Sequence, residues 1–180
     1  MPETPQQYTQ RILGNVEGKD PLRVQRSTAA KLAKLIRGLD RKRMAQRPAP
    51  EKWSIAEILA HLADAEMVAS WRMRLVLGQN GVPIKAFDQD AWATTFNYRK
   101  RDPKASLETF RLLRENNLAL LKSVPRQLLE NYGMHEERGQ ESVAHMVRMF
   151  AGHDLNHLRQ VEGLARRKTK PSRKSRAKKR

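Results

Sequence analysis

A chain of 180 residues, 39% hydrophobic and 31% charged, suits one domain with a real core and is short for two. It contains no cysteine, which excludes disulfides, thiolate metal ligands and a cysteine nucleophile. The formal net charge is +17, but ten of the 36 Lys and Arg fall in residues 166–180, "RRKTKPSRKSRAKKR", leaving 26 against 19 acidic residues elsewhere.

The N-terminus, "MPETPQQYTQ", lacks the basic-then-apolar layout of a signal peptide, and no run of about 18 apolar residues could span a membrane. Together with the missing cysteines, this leads to an expectation of a cytoplasmic protein. The apolar spacing is helical almost throughout, with no sustained strand-like alternation. A first helix is predicted from Pro21 to about Leu39, with Asp20 as N-cap and Pro21 at its first position. "RPAPEK" (47–52) breaks the pattern. "SIAE" (54–57) is a capping box that opens a second helix, predicted to stop at Gly78. A long connection, 79–101, carries "FDQDAW" (87–92). There Asp88, Asp90 and Trp92 could border a pocket, although a simple turn is the default. Asp102-Pro103 repeats the cap-then-proline signal for a third helix, which ends at Pro125. A mixed connection, 126–140, leads to a fourth helix from about Ser142.

Four amphipathic helices with two long connections make an all-α four-helix bundle, here assigned to residues 1–165. Residues 166–180 have nothing to bury and are expected to form a disordered basic tail, either a solubilising extension or an arm for nucleic acid.

The fourth helix carries its apolar stripe through 143, 146, 150, 153, 157, 161 and 164, so His153 and His157 lie on the buried face, one turn apart. His61 falls on or beside the inward face of the second helix. Three neutral imidazoles from two helices would bind a divalent metal and leave positions open. Zinc fits such a set, and nickel, iron or manganese accept the same ligands. Each histidine taken alone is more simply a hydrogen-bonded core residue; the metal reading rests on all three together and requires the second and fourth helices to be neighbours. Free-imidazole values place metal loss below about pH 6. His135 is assigned to a polar surface loop and His145 to an edge off the stripe. Asp64, Asp154 and Asn156 could orient an imidazole, but a solvated helix face is the simpler expectation for each. Gln160 is placed to bond across the bundle, and Asn117 interrupts an apolar stripe and needs a partner. Trp53, Trp71 and Trp92 are expected as core or lid aromatics.

"KWSIAEILAHLADAE" (52–66), "FDQDAWA" (87–93), "RDPKASLETFRLLRENNLALL" (101–121) and "HDLNHLRQ" (153–160) together resemble the DinB/YfiT-like superfamily, from about Tyr8 to Leu164. The resemblance implies a four-helix bundle with one long crossover connection, commonly paired as a homodimer. It also implies a nickel or zinc site built from one histidine of the second helix and two of the last, which here are His61, His153 and His157. Characterised relatives imply a thiol-dependent transferase acting with a low-molecular-weight thiol. The leading functional expectation is a divalent-metal enzyme, a thiol S-transferase or a hydrolase. The alternative is a nucleic-acid-associated protein anchored by its tail, with a structural metal.

Overall fold

The computed structural model describes residues 3–167. The predicted tail falls outside the described residues from 168 onward, and the last helix runs one residue past the expected domain boundary, to Arg166. In chain order the elements are α1 (Pro5–Val16), α2 (Pro21–Ile36), α3 (Arg41–Met44), α4 (Ile55–Gly78), β1 (Val82–Ile84), α5 (Gln89–Thr95), α6 (Pro103–Ser123), β2 (Tyr132–His135), β3 (Gly139–Ser142) and α7 (Val143–Arg166). The four expected bundle helices are α2, α4, α6 and α7, and their starts follow the predicted caps. Asp20 accepts from the backbone amides of Leu22 and Arg23, and Asp102 accepts from Ala105. Ser54 and Glu57 form the reciprocal capping box, and Arg47 holds the same buried carboxylate at 3.0 Å.

Around the bundle the helices stand in the order α2, α6, α4, α7, so α4 is flanked by α6 and α7. The chain therefore crosses the bundle diagonally between α2 and α4, and again between α6 and α7. Leu32, Ile58, Leu59, Leu62, Phe110 and Val161 fill one end of the core. Met73, Val76, Ile84, Val143 and Met146 fill the other.

Two features depart from the sequence reading. The first is α1, which packs on α7. Its signal was available: Thr4 and Gln7 form a capping box around Pro5, and Ile12 and Val16 are buried at helical spacing. Those two buried residues on a short, polar helix make a weak stripe. The second is a three-stranded sheet in the order β1-β2-β3, parallel then antiparallel, which ties the two long connections together. Strands of three or four residues are too short for a period of two to stand out, and the β1–β2 pairing joins segments about fifty residues apart in sequence. The sheet also corrects the placement of His135. Within β2, Met134 points to solvent and His135 points inward, where it is only 3% exposed.

The 79–101 connection packs on the outer face of α4, and every residue from Ile55 to Glu66 is buried. This overturns the expected solvated face at Asp64, which accepts from the hydroxyl of buried Tyr98 and from Arg101, each at 2.8 Å. Asp154 is also buried, and it meets the charge that clamps the bundle. Arg114 on α6 pairs with Glu66 on α4 at 2.7 and 2.9 Å, with Asp154 on α7, and with the carbonyl of Gln25 on α2 at 3.2 Å. Asn117 finds its partners one turn away, in Glu66 and Ser70.

Replacing Arg114 alone with leucine strands two carboxylates in the core. We expect a loss of about 3–5 kcal/mol in urea unfolding at pH 7. The triple change R114L/E66L/D154L should recover most of that loss, because no charge is left unpaired.

Candidate metal centre

His61 comes from the middle of α4, and His153 and His157 from successive turns of α7. Because α4 and α7 are neighbours, the three rings meet between them. The Nε2 atom of His153 lies 3.0 Å from the Nε2 atoms of both His61 and His157. Among the described residues, this trio is the one group of potential ligands whose donor atoms all lie within 4.8 Å of one another. Two nitrogens bound to one zinc at its usual bond length and tetrahedral angle stand about 3.3 Å apart, so the spacing suits a shared ion.

The proton inventory supports the fit. The Nδ1 of His157 faces Gln160 Oε1 at 2.8 Å, so that nitrogen carries the hydrogen and Nε2 is left with a bare lone pair. A single proton on His153 Nε2 cannot serve two neighbouring nitrogens well. Burial opposes a second proton: it holds His61 and His153 well below the ordinary imidazole value and lowers His157 to about 4. The positive fields of Arg114 and Arg11 act in the same direction on His153. A cation at the convergence point would satisfy all three lone pairs. His61 Nδ1 is buried with no hydrogen-bond partner, so the Trp53 ring, centred 4.9 Å away, is what braces His61 from the side.

Two cavities reach this centre. The larger, about 670 Å³, is lined by His153, His157, Trp53, Asn156 and Gln160. The smaller, about 400 Å³, is lined by His61, His153, Arg72 and Phe150. Tyr8 and Gln89 border both, so α1 and the start of α5 form the partition. Burial raises the pKa of the Tyr8 phenol, which keeps its proton.

The remaining expected residues separate cleanly. Gln160 does serve a ligand histidine, but on its own helix and not across the bundle. Asn156 lines the larger cavity and accepts from Arg11 at 3.4 Å. Asp64 and Asp154 bind arginines, not imidazoles. Asp90 borders the larger cavity, whereas Asp88 is the cap of α5. Trp53 and Trp92 are half-buried, but Trp71 is 64% exposed and belongs to neither core nor lid. His145 is half-buried at the start of α7. The sequence reading missed Tyr8 as a cavity residue because it missed α1.

Burial sets the pH response. In the metal-free protein these histidines stay neutral when folded, while the unfolded chain protonates near pH 6.5. Stability is therefore unaffected above about pH 6.5 and falls as the pH drops from there toward 4, since only the unfolded state gains protons. His135, lowered to about 4 chiefly by burial, adds to the same trend. Urea midpoints measured across that range should decline; a flat profile would contradict the neutral trio. For the same reason, proton-driven metal release is expected closer to pH 4 than to the pH 6 inferred from free imidazole.

Comparison with known proteins agrees with this arrangement. Residues 26–161 match the DinB superfamily. A protein of Oceanobacillus iheyensis named "Putative metal-dependent hydrolase" is 28% identical over 116 residues, covering 64% of this chain and 67% of that protein. One of the same name from Bacillus cereus strain 03BB102 is 26% identical over 136 residues, covering 76% and 78%. A solved structure described as "YfiT from Bacillus subtilis is a probable metal-dependent hydrolase with an unusual four-helix bundle topology" superposes with a TM-score of 0.76 at 21% identity, covering 81% of this chain and 84% of that one. The fold is thus the YfiT-like four-helix bundle, and the chain belongs to the DinB superfamily.

Proposed function

We propose that this protein is a divalent-metal-dependent hydrolase whose metal is held by His61, His153 and His157. The observation that carries the reading is the convergence of three neutral Nε2 atoms, two of the contacts being 3.0 Å, on a point bordered by two cavities. The hydrolase names of the relatives support the reaction class. Hydrolysis is preferred to S-transfer because it is the reaction class that those names carry.

When bound, a zinc- or nickel-like ion supplies Lewis acidity and a nucleophile at neutral pH. The protein's own groups do the rest. Gln160 fixes the tautomer and ring orientation of His157. Trp53 limits the swing of His61. Tyr8, protonated and shared by both cavities, is the donor for an oxygen that gains charge as a scissile bond opens. The low charge capacity of the buried surroundings keeps the ligands neutral.

His153→Ala should abolish stoichiometric metal binding, read by elemental analysis of protein purified without a histidine tag. Undiminished metal content would refute the site. Tyr8→Phe should leave metal content unchanged and lower kcat by about ten- to a thousandfold on any substrate found in a hydrolase screen. An unchanged kcat would remove Tyr8 from the reaction.

A further inference from the structure

Two arginines are deeply buried among the described residues, and they are treated differently. Arg114 has two carboxylates. Arg72, 7% exposed on α4, takes part in none of the ion pairs among the described residues and spends one donor on the Lys85 carbonyl. The Phe87 ring, centred 5.7 Å from its guanidinium carbon, offers a π-face but no full negative charge. A buried guanidinium with several donors and no carboxylate in contact is costly unless something else supplies the charge.

Arg72 borders the smaller cavity, the one that reaches His61 and His153. His61, Ala65 and Arg72 follow one another along the same face of α4, since eleven residues make just over three full turns. The two ends of that row are about 16 Å apart along the axis. Between them Ala65 keeps the floor low, and Met149 and Phe150 of α7 supply apolar walls. Nearby Arg138 is already neutralised by Glu141 at 2.6 Å. The cavity therefore presents a metal-ligating end, an apolar middle and one buried guanidinium outside any ion pair, with Glu3, Glu137 and the Arg138–Glu141 pair also on its lining.

We propose that Arg72 receives the carboxylate of an elongated substrate, whose apolar stem lies over Ala65 and Phe150 and whose scissile group reaches the histidine centre. This rests on the hydrolase reading for the last clause only. A singly charged carboxylate matches the one unpaired guanidinium and its fork of donors. A phosphate dianion would carry an excess charge into a pocket that already holds Glu141 and Glu137. Burial, followed by the field of Arg138, lowers the Arg72 pKa to about 10 against the opposing fields of Glu141 and Glu137, so the group remains charged at neutral pH and gains from an anion in contact.

The test is calorimetric titration of the full chain, after chelator treatment so that no carboxylate can bind metal, with octanoate, 1-octanol and octyl phosphate. Octanoate should bind more tightly than 1-octanol by at least about tenfold, as expected of a charge-assisted hydrogen-bonded pair. Octyl phosphate should bind more weakly than octanoate. Arg72→Gln should erase the octanoate advantage while leaving 1-octanol unchanged, and Arg72→Lys should retain part of it. Equal binding of octanoate and 1-octanol to the unaltered protein would overturn the proposal without any variant, which keeps it open to refutation if Arg72→Gln fails to fold. Preference for octyl phosphate would overturn the carboxylate assignment. Failure of the hydrolase reading would show instead as absent metal or absent hydrolysis, with the octanoate preference intact.

Discussion

Arg114 is the constraint on which the rest of this molecule depends. It extends from α6 to an acid on α4, an acid on α7 and a carbonyl on α2, so one side chain touches all four helices of the bundle. Its acidic partners are near neighbours of the proposed ligands: Asp154 follows His153 directly, and Glu66 lies five residues after His61. The pairing therefore fixes α4 against α7 at the level where their imidazoles meet. Nitrogens 3.0 Å apart need that accuracy, because helices packed only by apolar contact tolerate larger shifts than a coordination shell does.

Desolvation has opposite effects on the acids and bases of this core. It pushes the Asp154 carboxyl upward against the pull of Arg114, and it pushes all five histidines downward. The result favours neutral bases that can donate lone pairs, at pH values where exposed imidazoles would already be partly protonated. The same low polarity makes the difference between Arg114 and Arg72 meaningful. A charge that is fully paired helps to hold the fold together, and one that is not invites a ligand.

Much of this was legible from the residues. The caps at Asp20, Ser54 and Asp102 gave the helix starts, and the stripe through 146, 150, 153 and 157 turned two histidines inward. Whether His61 could face them depended on which helices are neighbours, and no local pattern encodes that. The failures share a cause. Asp64, Asp154 and His135 read as surface groups because polarity was equated with exposure, yet each lies beneath a segment brought in from far along the chain. Tyr98 and Arg101 cover Asp64, Arg114 covers Asp154, and a strand pairing turns His135 inward. Short strands and a polar amphipathic helix such as α1 leave weak local signals, since tertiary contacts supply most of what holds them.

Gly152, immediately ahead of the ligand pair, leaves room for another element to approach, and α1 is that element. A methyl group on Gly152 would land on the carbonyl oxygen of Ile12, so the two backbones meet where any side chain would force them apart. Ile12 lies one turn from Tyr8 on the same helix, and Tyr8 belongs to the partition between the two cavities. One absent carbon atom thus works as a spacer gauge for the whole entrance. It seats α1 deeply enough that the metal centre is approached through two separate doors, where a helix standing farther out would merge them into a single vestibule.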